Sequence, residues 1–321
     1  MIKNKNILIT GGAGFIGGHL FEALIKHNNY IIVIDNFNDY YKGKEEQFNE
    51  ITKNYEDSIN YSLIKGDLLN KAIYTKINVD IDIIFHLAAL AGVRYSIENA
   101  TEVAQNNIGS TVNIFDYSIQ NDIQSVIYAS SSSVYGNPLY TPVDEDHPKN
   151  PISPYAVSKL CSEIYADLYF REYGLPVSSL RFYTVYGPRG RPDMAIRRFF
   201  DLILRDKEIT IYGNGEQLRD FTFVSDIVDG LILASEKKES IGNVFNLGYS
   251  NPIEVNQLVD KMYVIANRPK KLKYIEKQKG DVDITYSNIT KAQNMLSYYP
   301  KIDINEGLRK TFDWQKNIMK K

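Results

Sequence analysis

A serine, a tyrosine and a lysine occur in an order that could oxidise an alcohol without a metal ion. Tyr155 and Lys159 are four residues apart in YAVSK, and Ser131 lies in an SSSS run that follows an apolar segment. A phenol has a pKa of about 10, so it is a poor base at neutral pH unless nearby positive charge stabilises its phenolate. Lys159 could supply this charge and Ser131 a hydrogen bond, which makes Tyr155 a candidate general base.

The helix that carries this pair can be located from its ends. Ser153 is a typical N-cap residue, Pro154 suits the first helical turn and Gly174 is a typical stop, so a helix is predicted between them. Residues four apart lie on one face of a helix. The side chains of Tyr155 and Lys159 are therefore expected to point in the same direction.

A second group of residues predicts a dinucleotide site. The segment GGAGFIG has Gly12, Gly14 and Gly17 in GxGxxG spacing, and Gly11 with Gly14 also fits a GxxGxxG reading. Glycines let backbone amides approach a pyrophosphate at a helix N-terminus. Asp35 ends the next predicted strand, where a carboxylate accepts hydrogen bonds from ribose hydroxyls and repels a 2′-phosphate. The predicted cofactor is therefore NAD.

Short apolar runs, separated by segments long enough for a helix, recur through the first half of the chain. The predicted strands span residues 6–10, 30–35, 61–64, 81–89, 125–130 and 177–182. This alternation is typical of an α/β fold with a doubly wound parallel (Rossmann) sheet. Runs such as YIIVID are apolar nearly throughout, as expected for strands that helices cover on both faces.

Beyond residue 182 the alternation loosens. We therefore predict an NAD-binding Rossmann domain over residues 1–182 and a smaller α+β substrate domain over residues 183–321, with some segments returning to the first domain. No long linker separates the two parts, so they are expected to pack closely. A cleft at such a junction is the default ligand site.

Composition excludes several classes of function. The 321 residues carry a formal net charge of −2, which gives no general attraction for nucleic acid or an acidic membrane, so arginines must bind any anionic ligand locally. No apolar segment approaches the roughly 20 residues that span a bilayer, and no secretory signal pattern is evident. Cys161 is the single cysteine, which fits the cytoplasm. The four histidines lack metal-ligand spacing, so no metal is expected.

GGAGFIG, Asp35, SSSSVYG and YAVSK together resemble the extended short-chain dehydrogenase/reductase family of nucleotide-sugar epimerases and dehydratases. The resemblance covers the whole chain, because RDFTFVSDIVDG, NVFNLG and KGDVDITYSNITKAQ resemble the second half of that family in order and spacing. It implies catalysis by Ser131, Tyr155 and Lys159 on a UDP-sugar. It also implies a homodimer that uses the stretch near residues 103–118 and the helix that carries Tyr155.

The expected binding residues form two sets, in which Asn106, Tyr183, Arg219 and Asp281 are included because the resemblance implies them. The expected cofactor residues are Gly11, Gly14, Phe15, Ile16, Gly17, Asp35, Asn36, Asp67, Leu68, Leu87, Ala88, Ala89, Asn106, Tyr155, Lys159 and Tyr183. The expected substrate residues are Arg94, Ser132, Ser133, Thr184, Arg189, Arg191, Arg219 and Asp281.

The residues that follow Ser131 bear on the type of reaction. Family dehydratases and decarboxylases carry acidic residues at this place, whereas this chain has Ser132 and Ser133. A dehydratase needs an acid to protonate its leaving group. Epimerisation at C4 needs none, because a 4-keto intermediate rotates in the pocket and takes its hydride back on the other face.

The loop TVYGPRGRPDMA, over residues 184–195, resembles the corresponding loop of UDP-glucuronate 4-epimerases, whereas UDP-glucose 4-epimerases have Asn-Pro where this chain has Thr184 and Val185. A planar guanidinium fork suits a sugar carboxylate, so Arg191 is the candidate, with Arg189 placed at a phosphate. Hydroxyls of Thr184, Ser132 and Ser133 would assist Arg191. The predicted reaction interconverts UDP-glucuronate and UDP-galacturonate.

Three alternatives stay open at this point. The chain could be a UDP-glucose or UDP-N-acetylglucosamine 4-epimerase, or a UDP-glucuronate decarboxylase. A catalytically silent NAD-binding module is an alternative from a different class. The intact set of Ser131, Tyr155 and Lys159 argues against the silent module.

Overall fold

The chain folds around a central sheet of seven parallel strands. The computed structural model describes residues 2–55, 60–277 and 282–320. The described strands are β1 (Asn6–Thr10), β2 (Tyr30–Asp35), β3 (Tyr61–Lys65), β4 (Ile83–His86), β5 (Ser125–Ser131), β6 (Val177–Phe182), β7 (Thr184–Tyr186), β8 (Ile209–Tyr212), β9 (Leu218–Arg219), β10 (Phe221–Phe223), β11 (Val244–Leu247), β12 (Ile253–Glu254) and β13 (Leu272–Ile275). The sheet has the order β3, β2, β1, β4, β5, β6, β11. The predicted doubly wound α/β fold is confirmed.

The described helices cover both faces of the sheet and build a smaller unit beside it. They are α1 (Phe15–Ile25), α2 (Lys44–Thr52), α3 (Val93–Glu98), α4 (Ala100–Gln120), α5 (Pro154–Tyr173), α6 (Ala195–Leu204), α7 (Val224–Glu236), α8 (Val255–Ala266), α9 (Thr290–Leu296) and α10 (Ile304–Ile318). None of the helices in the described ranges is both long and apolar enough to span a membrane.

Alternate residues of the strands enter two different cores, because successive side chains of a strand point to opposite faces. In β1, Ile7 and Ile9 pack in the cluster that includes residues of α1 and α7. Leu8 packs instead with Ile114 and Phe115 of α4. Both faces of the sheet are therefore buried, which explains why its strands are apolar nearly throughout.

Helix α5 has the ends that its sequence predicts. The Ser153 side chain accepts a hydrogen bond from the Ala156 amide at 3.2 Å, Pro154 starts the helix, and Gly174 ends it in a left-handed conformation with φ of 70°. The helix packs against α4 and β5. This packing fixes the Tyr155 face of α5 against the carboxyl end of the sheet.

The second half of the chain contributes to both parts of the molecule. Strand β11 pairs with β6 in the central sheet, and α7 and α9 pack in the core that contains α1. A separate core holds α6, α8, α10 and the pair β8–β13. Segments that follow the predicted boundary at residue 182 thus return to the part of the molecule that the first half of the chain builds.

Candidate active site

The carboxyl ends of the parallel strands border one large cavity of about 510 Å³. The loop after β1 contributes Gly11, the loop after β4 contributes Ala88, and the end of β5 contributes Ser131. Parallel strands place all their carboxyl ends on one edge of the sheet, so loops distant in sequence meet there. The cavity lies where an open α/β sheet normally holds its ligand.

The glycine loop approaches its neighbours too closely for side chains. A Cβ on Gly11, whose φ is 69°, would lie 2.8 Å from the backbone of Ala88, and a Cβ on Gly17 would collide with the Gly11 carbonyl oxygen. Helix α1 begins directly after this loop, with Gly14 as its N-cap. The backbone amides at this helix N-terminus form a suitable site for a pyrophosphate.

Asp35 is a buried carboxylate at the end of β2 and lines the same cavity. Its two oxygens accept backbone hydrogen bonds from Ala13 at 3.1 Å and Phe37 at 2.9 Å. Burial raises the pKa of Asp35, while the Phe37 amide, the charge of Lys44 and the Ala13 amide oppose this rise. A carboxylate fixed in this way can accept hydrogen bonds from a ribose.

Successive turns of α5 contact the last residues of β5. Lys159 donates to the Ala129 carbonyl oxygen at 2.7 Å, and the Ser130 hydroxyl donates to Glu163. The Ser131 side chain lies near enough to Tyr155 that its hydrogen bonding lowers the pKa of the phenol. The two elements therefore hold the predicted catalytic residues in one place.

Ser131 is placed to pass a hydrogen bond towards the phenol. Its oxygen accepts from the backbone amide of Ser133 at 3.2 Å and from the Ser133 hydroxyl at 2.9 Å. Its own proton remains for the Tyr155 oxygen, and this hydrogen bond lowers the pKa of Tyr155. Ser133 thus supports the catalytic serine in addition to lining the cavity.

Arg191 is the charged group that affects the pKa of Tyr155. Burial raises the pKa of the Tyr155 phenol above its usual value, and the Arg191 guanidinium and hydrogen bonding from Ser131 offset only part of this rise. Lys159 lies 6.0 Å from the centroid of the Tyr155 ring, and burial lowers its own pKa to about 7, against the attraction of Glu163. From the sequence, Lys159 was expected to supply the positive charge that stabilises the Tyr155 phenolate. In the structure, Arg191 of the 184–195 loop is an additional cation, and it is permanently charged.

Beneath the catalytic residues lies a buried ion pair. Arg181 of β6 donates from Nε to Glu163 at 2.9 Å and from Nη2 at 2.6 Å, and both side chains are at most 5% exposed. Arg181 also donates to the Tyr135 hydroxyl at 2.7 Å. This pair fixes the third turn of α5 and keeps a negative charge close to Lys159.

Arg191 reaches the cavity from the 184–195 loop, where its fork is paired with a neighbour. Its Nε donates to Asp193 Oδ1 at 3.0 Å and its Nη2 to Oδ2 at 2.8 Å. The Tyr40 hydroxyl donates to the same Oδ2 at 3.0 Å. Nη1 is the nitrogen of Arg191 that does not contact Asp193.

Arg189 has a different location from the one expected. Its guanidinium forms an ion pair with Glu22 of helix α1, and it does not line the cavity. The loop turns at Arg189 with φ of 60°, which directs this side chain towards α1. Arg189 is therefore not among the residues that we propose for binding a substrate phosphate.

A smaller cavity of about 240 Å³ continues the first one, because Thr184, Val185, Met194 and Arg219 line both. Arg94 lines the smaller cavity, with its guanidinium 4.8 Å from the centroid of the Tyr212 ring. Arg219 donates to the carbonyl oxygen of Val282 at 2.6 Å. Four arginines border this space, which gives a positive site for an anionic group: Arg94, Arg197, Arg198 and Arg219.

The structure brings most of the predicted residues together. All sixteen predicted cofactor residues and Ser131 line the large cavity, as do the substrate candidates Ser132, Ser133, Thr184, Arg191 and Arg219. Arg94 lies in the smaller cavity, and Arg189 lies in neither. Asp281 lies outside the described residues.

The sequence analysis missed several residues that line the cavity. Tyr40, Tyr41 and Lys44 come from the segment after β2, and Gly92 follows β4. Lys44 donates to Asn38 at 2.6 Å. The aromatic pair in FNDYY, directly after the strand that ends in Asp35, is the signal that could have pointed to this segment.

The cavity fits a dinucleotide with a nicotinamide. The glycine cradle offers backbone amides, Asp35 offers an acceptor for ribose, and the Tyr183 hydroxyl is buried at the cavity without a hydrogen-bond partner among the described residues. A bound group would give that hydroxyl a partner. Within residues 2–55, 60–277 and 282–320, no cluster of three or more histidine, cysteine or carboxylate side chains is arranged to hold a metal ion.

Comparisons with known proteins agree with this geometry. A family model described as the NAD dependent epimerase/dehydratase family matches residues 7–248. A UDP-glucuronate 4-epimerase from Thermodesulfobacterium geofontis is 38% identical over 317 residues, which cover 96% of this chain and 95% of the relative.

Two solved structures extend the comparison. The UDP-glucuronic acid 4-epimerase of Bacillus cereus, in complex with UDP-glucuronic acid and NAD, is 33% identical with a TM-score of 0.90, and the match covers 98% of this chain and 99% of that one. The UDP-N-acetylglucosamine 4-epimerase of Methanobrevibacter ruminantium, in complex with UDP-N-acetylmuramic acid, is 34% identical with a TM-score of 0.91, and covers 99% and 100%.

Fold and site together define an NAD-dependent protein of the extended short-chain dehydrogenase/reductase type. The chain belongs to the NAD-dependent epimerase/dehydratase family. Its similarity to 4-epimerases over nearly the whole chain supports an isomerase activity.

Proposed function

We propose that this protein interconverts UDP-glucuronate and UDP-galacturonate by epimerisation at C4. The observation that carries the proposal is Arg191, a guanidinium placed at the cavity beside Tyr155 by a loop whose sequence resembles that of UDP-glucuronate 4-epimerases. A planar guanidinium is well suited to a carboxylate. The smaller cavity, with its four arginines, would take the nucleotide diphosphate.

Tyr155 would take the proton of the C4 hydroxyl. NAD, held by the glycine loop and Asp35, would supply the hydride acceptor and donor for C4, with return of the hydride to the opposite face of the ring. Ser131 would donate a hydrogen bond to the phenol oxygen, and Arg191 favours its phenolate, so both oppose the rise in the Tyr155 pKa that burial causes. On the return step Tyr155 gives the proton back to the C4 oxygen. Proton and hydride are both restored, so no net oxidation occurs.

The C5 carboxylate would lie against Arg191, Thr184, Ser132 and Ser133. The hydroxyls of Thr184 and Ser132 and the Nη1 edge of Arg191 can donate to its oxygens, while the Ser133 hydroxyl keeps its hydrogen bond to Ser131. Restraint of this group has a second consequence, because the 4-keto intermediate is a β-keto acid that loses CO₂ when the carboxylate bond aligns with the carbonyl π system. Hydrogen bonds that hold the carboxylate out of alignment would protect the intermediate.

A neutral substrate is the second candidate, and the Arg191–Asp193 pair favours it. An internal carboxylate that already neutralises Arg191 lowers the electrostatic need for an acidic sugar. UDP-glucose and UDP-N-acetylglucosamine are the neutral sugars to compare. The similarity to the Methanobrevibacter ruminantium enzyme supports their inclusion.

We propose further that the protein is a homodimer of the cytoplasm. Helix α5 exposes apolar side chains in a row along its outer face: Val157, Ile164, Tyr165 and Leu168. Ile164 is 62% exposed, and such a patch on a helix packed beside α4 is suited to the same face of a second copy. The free thiol of Cys161 fits a reducing compartment.

A product assay without added NAD tests the proposed reaction. The purified protein is incubated separately with UDP-glucuronate, UDP-glucose and UDP-N-acetylglucosamine, and anion exchange separates the products. We expect UDP-galacturonate from UDP-glucuronate at the highest kcat/KM of the three substrates. A higher kcat/KM on a neutral sugar, or a UDP-pentose as the main product, would overturn the assignment.

A further inference from the structure

The guanidinium of Arg191 already carries a carboxylate. Nε and Nη2 donate to the two oxygens of Asp193 at 3.0 and 2.8 Å, and the Tyr40 hydroxyl donates to Oδ2 at 3.0 Å. This is the parallel, two-bond arrangement that an Arg–carboxylate pair prefers. Asp193 therefore occupies one of the edges that a substrate carboxylate could take.

Segments from both halves of the chain hold this group in place. Tyr40 follows β2, whereas Arg191 and Asp193 lie between β7 and α6. The Tyr40 ring stands 5.5 Å from the Arg191 guanidinium and packs edge to face on Tyr95, with centroids 4.9 Å apart. Gly92 leaves room for the group, because a Cβ there would collide with the Tyr40 hydroxyl. We call Tyr40, Arg191 and Asp193 the fork cluster.

The fork cluster has no net charge at neutral pH. Burial acts to raise the pKa of Asp193, but the hydrogen bonds and charge of Arg191 hold it below its usual value, so the carboxylate is ionised. The Arg191 charge is therefore compensated before any substrate binds. An uncompensated guanidinium would favour an acidic sugar and disfavour a neutral one, because a desolvated cation without a counter-charge is costly.

We propose that Asp193 determines how strongly the site discriminates between UDP-sugars with a C5 carboxylate and neutral UDP-sugars. It does so by neutralising Arg191 on its Nε and Nη2 edge, while Tyr40 holds the carboxylate there. Acidic sugars then bind through Nη1 and the surrounding hydroxyls, and neutral sugars meet no unpaired cation. This inference rests on the proposed function only in that Arg191 meets the C5 substituent.

The test removes the charge of Asp193 and keeps its shape. In Asp193→Asn, the ratio of kcat/KM for UDP-glucuronate to that for UDP-glucose is expected to rise about fivefold, the upper range for a partly exposed charge pair. The rise should come mainly from KM, because the charge acts on bound substrate. Tyr40→Phe, which removes one hydrogen bond to the carboxylate, should change the ratio in the same direction by less.

A matched control uses another Arg–Asp pair. Asp167 accepts from Arg171 at 3.0 Å on the surface of α5, and neither residue lines the cavity. Asp167→Asn should leave the substrate ratio unchanged. Circular dichroism and bound NAD show whether each variant is folded, and Tyr40→Phe remains as the test if Asp193→Asn is not.

The outcomes separate this inference from the proposed function. An unchanged ratio, with both substrates affected equally, would show that Asp193 only supports the loop and would overturn the inference. A lower ratio would also overturn it, because Asp193 would then serve to aim Arg191 at the acid. If the wild-type protein converts no UDP-glucuronate, the proposed function fails. The inference can then still be tested by calorimetry, which gives the ratio of the affinities for UDP-glucuronate and UDP-glucose in the wild type and in Asp193→Asn.

Discussion

Lys159 gives the most direct test of the electrostatics of the site. Its side chain is 3% exposed, donates to the Ala129 carbonyl oxygen at 2.7 Å and lies 4.9 Å from the centroid of the Tyr128 ring. Burial lowers the pKa of Lys159 to about 7, although Glu163 opposes this change. An ordinary lysine has a pKa of about 10.4, so the difference corresponds to roughly 5 kcal/mol between the two protonation states.

The sign of the effect on stability follows from proton binding. Between about pH 7 and pH 10 the unfolded chain keeps the Lys159 proton that the folded protein has released, so the free energy of unfolding rises with pH by about 1.4 kcal/mol per unit. Below about pH 7 both states are protonated, and this contribution is flat. The variant Lys159→Met has no amine that titrates at this position, so it lacks this pH-dependent contribution. The stability of the wild type relative to Lys159→Met should therefore increase by roughly 2 kcal/mol from about pH 7 to about pH 9.

Urea unfolding of the cofactor-free proteins, followed by circular dichroism at several pH values, measures this difference. Other titrating groups cancel between wild type and variant. Lys71→Met serves as a control, since Lys71 is an exposed side chain on the surface. A difference that stays constant over the same pH range would refute the reasoning, because Lys159 would then keep its charge and could act as the cation beside Tyr155.

Three further predictions concern Arg191, the buried ion pair and the outer face of α5. Arg191→Ala should lower kcat/KM on UDP-glucuronate at least tenfold, as expected for a lost charge-assisted contact, and should release a UDP-pentose that anion exchange detects; unchanged kinetics without pentose would refute the role of this residue. Glu163→Gln should reduce the free energy of unfolding by about 3–5 kcal/mol in urea titrations, because Arg181 stays buried without its partner; a loss below about 1 kcal/mol would show that water reaches this pair. Ile164→Asp should convert a dimer into a monomer in sedimentation experiments while leaving the far-ultraviolet spectrum unchanged; a dimer that persists would place the interface elsewhere.

The cofactor side of the cavity could be predicted from sequence because its signals are local. Gly11 and Gly17 belong to one turn, Asp35 ends a strand, and Tyr155 and Lys159 share one helix face. The sequence marks the end of each strand, and a parallel sheet gathers those ends at one edge. These residues therefore needed only their own elements to be placed correctly, whereas Asn106 and Tyr183 were expected from the family resemblance.

The substrate side depends on contacts between distant segments, which single-sequence patterns do not reveal. Tyr40 meets Asp193 across 153 residues, and Arg189 meets Glu22 across 167. The loop sequence indicated two available arginines, but the fold pairs both with carboxylates. Arg191 remains at the cavity, whereas Arg189 is directed towards α1. Pairing of this kind depends on the tertiary arrangement of the loops.

The role of Lys159 shows a second limit. The sequence placed its ammonium one helical turn from the Tyr155 phenol, and the structure keeps both on the cavity wall. Burial among apolar and aromatic groups then lowers the pKa of Lys159, and this burial depends on strands that are remote in the chain. The spacing of two residues therefore predicts their proximity but not their charge.

Turnover by Tyr155→Phe is the most direct test of the account. The variant removes one phenol oxygen and leaves the glycine loop, Asp35 and Arg191 in place. Wild-type protein should convert UDP-glucuronate to UDP-galacturonate, while Tyr155→Phe should retain bound NAD and form no detectable product. A variant that binds NAD and still epimerises at the wild-type rate would contradict the assignment of Tyr155 as the acid–base residue.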